Sequence, residues 1–290
     1  MIKIDGSEGE GGGQVARNAC ALSLATGEAY RLTNVRAGRD KPGLMRQHVT
    51  AIEAACAISG SRCEGLAVGA REIEFHPGAV TPGDYHFAVG TAGSVNLVLQ
   101  TVLAPLALAA APSRVVIEGG THNMLAPPFE FIERCFLPVF ERMGPKVSAR
   151  LVRHGFYPRG GGRIEVEITP APLRRIECLA RGALQARLAQ AVFAALPFNI
   201  AKRMIDAAGA ELADWPQDAW SWRELPQDQG PGVILLLEAR YEGVTEIVSG
   251  FGAHGVPAER IAEKAAARLA GYMEGSAFAG RYLADQLILP

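Results

Sequence analysis

Gly6-Ser7-Glu8-Gly9-Glu10-Gly11-Gly12-Gly13-Gln14 and Gly90-Thr91-Ala92-Gly93-Ser94 decide the reading of this chain, because each glycine loop stands between an apolar strand-like run and a helical pattern. The first follows Ile2-Lys3-Ile4, and the second follows Tyr85-His86-Phe87-Ala88-Val89. The loops lie roughly 80 residues apart, and what comes after each has the same plan of strand, helix, strand, helix and two strands. In the first copy, helices are expected over 14–25 and 44–58 and strands over 30–35 and 65–75. In the second, the plan predicts helices over 95–110 and 129–143, a strand over 115–118 and a closing hairpin over 147–168 broken by Gly160-Gly161-Gly162. The stretch 95–112 nears membrane-spanning length, but Gln100, Pro105 and the preceding glycine loop make it a buried helix.

From about residue 174 the pattern changes. A helix over 184–195, a stretch rich in tryptophan (Trp215, Trp220, Trp222), a strand over 233–239 and a helix over 257–274 are expected there, followed by a short helical run, 279–290. The fold class is therefore α/β (α+β), a large domain of repeated βαβαββ units with a smaller α/β domain inserted. The large domain would take 1–173 and 275–290, with its third unit incomplete, and the insert 174–274. An unfinished unit leaves a sheet edge and apolar surface uncovered. A homodimer would cover such an edge.

Composition narrows the function classes. A net charge of -1 gives a nucleic-acid partner no help from the overall balance, so local clusters must supply it. Five cysteines at unrelated spacings, with no CxxC pair, point to a reduced, cytoplasmic setting and to no structural zinc. Cys20, Cys56 and Cys135 fall in apolar helical patterns and read as small core residues. Met1-Ile2-Lys3-Ile4-Asp5 starts a strand at once and has none of the parts of a secretion signal.

Three stretches carry chemistry. The first glycine loop offers the free amides of a helix start to an anion, and Glu10 within it is a candidate magnesium ligand. A tight turn needing positive φ would use the same glycines. Arg36-Ala-Gly-Arg39-Asp-Lys-Pro-Gly-Leu-Met-Arg46-Gln47-His48 has the composition of a phosphate grip, with His48 able to move a proton or hold a ribose hydroxyl. A charged loop with a histidine capping its helix is the plainer account. His122-Asn-Met-Leu-Ala-Pro-Pro-Phe129 and His154-Gly-Phe-Tyr-Pro-Arg159 set aromatic groups among polar and basic ones, as surfaces that stack single-stranded bases do, and a plain hairpin turn explains the latter equally well. A second basic set comprises Arg150, Arg153, Arg159 and Arg163, and His76, His86 and His254 read as structural.

Taken in order, Gly9-Glu-Gly-Gly-Gly-Gln14, Arg36-Ala-Gly-Arg39, Lys41-Pro-Gly-Leu44, Arg46-Gln-His48, Gly119-Gly-Thr-His-Asn123, His154-Gly-Phe-Tyr-Pro158 and Tyr282-Leu-Ala-Asp-Gln286 resemble the signature of the RNA 3′-terminal phosphate cyclases. The resemblance runs along essentially the whole chain. It implies a large domain of three repeated units with a small domain inserted in the third, and an ATP-dependent ligase chemistry in three steps. A histidine attacks the α-phosphate of ATP, AMP passes to an RNA 3′-phosphate, and the neighbouring 2′-hydroxyl displaces AMP to leave a 2′,3′-cyclic phosphate. The resemblance would give Glu10 the metal, Mg2+ or Mn2+, and set Arg17, Arg36, Arg39, Gln47 and His48 around the phosphates. Gln100, Pro127, Phe131, Tyr282, Asp285 and Gln286 would line the nucleotide pocket.

The same resemblance places the adenylylated histidine after the Tyr282–Gln286 motif, and Pro290 is the last residue here. None of the six histidines stands in that place. A truncated form of an active cyclase fits this, and so does a catalytically silent, cyclase-like RNA-binding protein of ribosome assembly. A small-molecule transferase of the enolpyruvyl kind uses similar repeats, but the 36–48 and 282–286 segments speak against it. The incomplete third unit is expected to make the 290-residue chain less soluble or less stable than a longer form; equal melting temperatures and solubilities for the two would refute that.

Overall fold

A computed structural model describes residues 1–9 and 11–290. The first unit forms a four-stranded sheet from β1 (Ile2–Asp5), β2 (Tyr30–Thr33), β3 (Arg62–Glu64) and β4 (Ile73–His76) in the order β1-β2-β4-β3. β1 and β2 run parallel, and β2–β4 and β3–β4 antiparallel. The parallel pair requires a crossover, which α1 (Gly13–Thr26) provides, and α2 (Arg46–Ser59) links β2 to β3. On α1 the buried positions Ala16, Ala19, Cys20, Ser23 and Leu24 recur at helical spacing. The helix stops at Gly27, whose left-handed φ of 76° lets its N–H reach back to the Ser23 carbonyl.

The second unit repeats this plan strand for strand. β5 (Asp84–Ala88), β6 (Ser113–Gly119), β7 (Lys146–Arg153) and β8 (Gly162–Thr169) form a sheet of order β5-β6-β8-β7, again with one parallel and two antiparallel pairs. α3 (Val95–Ala107) is its crossover. Because α3 packs on α1, α2 and its own sheet, it is buried nearly all round, which accounts for its continuous apolar sequence. No helix among the described residues is long and apolar enough to cross a membrane. The fourth helix of the plan is α4 (Phe129–Phe131), a π-helical turn over Ile132–Phe136, and α5 (Leu137–Glu141). Pro138 lacks the N–H that a regular α-helical ladder would use, so the wider turn just before it relieves the break.

One expectation fails. Residues 184–195 form no helix; Leu184–Ala194 is β9, the inner strand of a third sheet with β10 (Trp220–Leu225), β11 (Gly232–Tyr241) and β12 (Thr245–Phe251), ordered β10-β9-β11-β12. Its alanines suggested helix by propensity, but pairing with β10 on one side and β11 on the other overrides so weak a preference. Ala189, Ala191 and Ala194 are wholly buried; α6 (Phe198–Glu211) packs on β9 and β11, and α7 (Ala258–Glu274) on β11 and β12. The helix α6 and strands β10 and β12 had no clear signal in sequence. Arg181 ties the entry of this segment to its exit: its guanidinium donates to the carbonyls of Tyr272, Met273 and Gly275 at the end of α7 and lies 4.4 Å over the Tyr241 ring.

After α7 comes α8 (Arg281–Gln286), which buries only Leu283. The buried Glu246 of β12 anchors its start, accepting from the Gly280 N–H at 3.2 Å. Burial pushes Glu246 up to about 7, with the Gly280 hydrogen bond and Arg268 opposing. A carboxyl raised from 4.5 stabilises the fold fully below pH 4.5 and loses that contribution as pH rises through about 7. Glu246→Gln keeps the acceptor and removes the titration. Its stability relative to the parent, read by urea unfolding, is expected to rise between pH 5 and pH 8 by up to about 1.4 kcal/mol per pH unit; parallel pH profiles would contradict it.

Candidate functional site

The two glycine loops do different work. At the first, Gly9 and Gly11 take φ of 60° and 53°, conformations open to glycine, and α1 begins at Gly13 behind Gly12 with no side-chain cap on its amides. The imidazole of His48 lies where a side chain on residue 13 would be. His48 sits in the first turn of α2, its Nδ1 accepting the Met45 N–H at 2.9 Å. Nε2 therefore carries the proton of the neutral ring and faces Gly13. Burial lowers His48 to about 3, reinforced by the charges of Arg17 and Arg36.

Arg36 folds onto its own loop, donating to the carbonyls of Lys41 at 2.7 Å and Gly43 at 2.8 Å. It thereby shapes the loop whose far end is His48. Arg39 lies beside the glycine loop, with Nη2 at 3.2 Å from where a Cβ on Gly12 would stand. Glu10 lies outside the described residues. Gln47 points the other way: its Oε1 accepts the N–H of Ser94 at 3.1 Å, joining the first unit to the second glycine loop.

Along the start of α1, Gln14, Arg17 and Asn18 face a small cleft whose other walls include Gln100 of α3, Phe136 of the π-helical turn, Phe140 of α5, and Asp285 and Gln286 of α8. Gln14 Nε2 donates to both Asp285 oxygens, at 3.2 and 3.0 Å, and Gln100 Nε2 to Gln286 Oε1. Burial lowers Arg17 to about 10, opposed by Asp285, so it stays a cation at neutral pH. The cleft has a free volume of about 30 Å3, enough for a water. Of the residues expected to line a nucleotide pocket, Gln100, Asp285 and Gln286 do converge. The others lie apart from the cleft wall: Phe131 is in the core, Pro127 receives the Asn96 amide on its carbonyl at 2.8 Å, and Tyr282 lies between the guanidinium groups of Arg268 and Arg281. Gln14, Phe136 and Phe140 were not assigned to this wall from sequence, although Gln14 belongs to the quoted glycine motif.

The expected stacking surfaces are mostly internal. His122, Phe129, His154 and Phe156 are buried, and from the second stretch Tyr157, Pro158 and Arg159 reach solvent. Of the second basic set, Arg150 and Arg163 pair with Glu165, and Arg153 with Asp228. Nor is His86 without a partner, for its Nε2 lies 3.2 Å from Glu118.

Because His48 is held neutral in the fold, unfolding below pH 6.5 takes up a proton, and stability falls as pH drops from 6.5 toward 3. His48→Gln is expected to flatten that decline by up to about 1.4 kcal/mol per pH unit, measured by urea unfolding at pH 7 and pH 5. A variant with the parent's pH slope would show that the imidazole is already charged in the fold.

Comparison with known proteins bears on what this assembly belongs to. The family model described as RNA 3′-terminal phosphate cyclase matches residues 8–290. The whole chain aligns with RNA 3′-terminal phosphate cyclases of Koribacter versatilis at 50% identity, covering 82% of that protein, and of Ralstonia nicotianae at 46%, covering 83%. The one from Ectopseudomonas mendocina is 46% identical, with 84% of it covered. With a family match over nearly all its length and relatives so similar, the chain belongs to the RNA 3′-terminal phosphate cyclase family.

Proposed function

We propose that the protein converts an RNA 3′-phosphate to a 2′,3′-cyclic phosphate at the expense of ATP, in the cytoplasm, as a ligase. The observation that carries this reading is the convergence of Gln14 and Arg17 from the first glycine-loop helix with Gln100, Asp285 and Gln286 on one cleft. Amides and a carboxylate suit a nucleoside, and the Arg17 cation one turn into α1 suits its phosphates. A phosphate oxygen is a poor leaving group, so adenylylation activates the RNA end before the 2′-hydroxyl attacks. Arg17, Arg36 and Arg39 then sit where charge builds up on phosphorus, and Glu10 would hold Mg2+ or Mn2+. His48, Nε2 protonated against Gly13, serves as a donor that positions the loop amides and phosphate.

That histidine has its Nδ1 lone pair engaged and its Nε2 proton-bearing, so it does not attack phosphorus. We assign the nucleophile to none of the six histidines in these residues. The catalytic body is 1–173 with 275–290, and 174–274 is the inserted domain. Opening the cleft for ATP would break the Gln14–Asp285 and Gln100–Gln286 contacts, and α8 has only Leu283 buried to hold it in place.

The test is adenylylation. With α-labelled ATP and Mg2+, the 290-residue chain is expected to bind nucleotide and form no acid-labile protein-bound AMP. The same chain completed with the terminal segment of a full-length relative is expected to label, at a level cut at least tenfold by Arg17→Ala or Asp285→Ala. Labelling of the 290 residues alone would put the nucleophile among them and overturn the assignment. Nucleotide binding with no labelling of the completed chain would favour a silent RNA-binding member.

A further inference from the structure

Three buried groups away from that cleft face one another: His122 on the loop after β6, Glu130 in α4 and His154 at the end of β7. One ligand atom from each falls within 4.8 Å of the others. We propose that His122, Glu130 and His154 form a transition-metal site, of Zn2+ class, that pins these three segments together.

The chemistry of the donors supports this. Two imidazoles and one carboxylate are a common Zn2+ ligand set, with bonds of ~2.0–2.2 Å that place tetrahedral ligand atoms ~3.3 Å apart. His122 Nε2 is already 2.9 Å from one Glu130 oxygen and 3.3 Å from the other. The His122 and His154 rings are neighbours, with centroids at 5.0 Å and planes 17° apart, and on binding an ion the two would turn until their in-plane nitrogen lone pairs converge on it. On the far side of His122, Nδ1 meets Thr121 Oγ1 at 2.7 Å, and that hydroxyl also receives the Gly155 N–H at 2.9 Å. A metal ion would take the place of the proton that Nε2 now shares with Glu130, and Nδ1 would then donate to Thr121 Oγ1, the second hydrogen bond that orients a metal-bound histidine.

Charge points the same way. Glu130 is buried, and among its neighbours Arg134 is committed to Glu133 and Glu238. Glu130 pairs with His122, whose Nε2 lies 2.9 Å from its carboxylate. A buried carboxylate whose partners are imidazoles needs a cation, and a divalent ion meets that need without a protonated ring. The backbone reinforces the site from outside: the His154 N–H donates to Gln229 Oε1 in the inserted segment, and Phe156 fills the space above Gly232. An ion here thus also stiffens the junction between the second unit and the third sheet.

The test uses the purified, folded 290-residue chain, stripped with chelator and dialysed against Zn2+ or Co2+. Expected are one Zn2+ per chain by elemental analysis, Co2+ d–d absorption of tetrahedral intensity, and a melting temperature raised by the metal. Glu10→Ala keeps all three, which separates this site from the expected magnesium position. His154→Gln and Glu130→Gln lose the cobalt spectrum and at least tenfold in affinity. Folded parent protein that takes up neither metal would overturn the proposal, as would a spectrum and affinity unchanged in both variants.

Discussion

The contact between the His48 imidazole and the bare α-carbon of Gly13 is the constraint on which the placement of the first two helix starts, and of the cleft beside them, depends. It joins the start of α1 to the start of α2, adding a direct tie at their N-termini to the packing of both helices on each other and on α3. Any side chain at residue 13 would displace the ring, and the ring is itself held by the Met45 N–H. With the helix start so placed, Gln14 and Arg17 follow on the face that meets α3 and α8. Arg36 completes the arrangement from the loop side by spending its donors on the Lys41 and Gly43 carbonyls. Its observed contribution is thus to hold the loop that carries Arg39 and His48.

What sequence reveals about this fold depends on whether a signal is local. The βαβαββ plan was visible twice because glycine loops, apolar helices and alternating strands recur at one spacing, and the two sheets match in order and strand direction. β9 was misread because its Ala-rich segment has helical propensity and its strand state depends on two distant partners, β10 and β11. The same limit applies to the cleft. Gln100, Asp285 and Gln286 could be named through motif resemblance, while Phe136 and Phe140 reach the wall through a π-helical turn that residue spacing does not announce. His122, Glu130 and His154 lie on separate elements, and only folding makes them neighbours.

The exposed-looking motifs teach a related point. His154-Gly-Phe-Tyr reads as an RNA-facing aromatic cluster, yet two of its rings are internal, His154 stacked on His122 and Phe156 tilted against it. Glycines 155 and 162 explain why: a Cβ on either would strike backbone across the turn, so the chain folds tightly enough there to carry the histidine and phenylalanine inward. A motif can therefore be strict in sequence for the sake of packing while its chemistry faces the interior.

Repetition also conceals a division of labour. The first glycine loop leaves helix amides open beside Arg39, whereas Gly93 in the second lets the side chain of Gln47 come close, because a Cβ there would meet Gln47 and Val89. Gln47 then caps Ser94 N–H, and Ser94 in turn caps α3 through Leu97 N–H. The second loop has become the seat on which the first unit rests. That seat fixes α3 against α1, and with it the position of Gln100 across the cleft from Arg17, so one copy of the pattern supplies Gln14 and Arg17 to the cleft and the other supplies the framework that keeps the cleft in register.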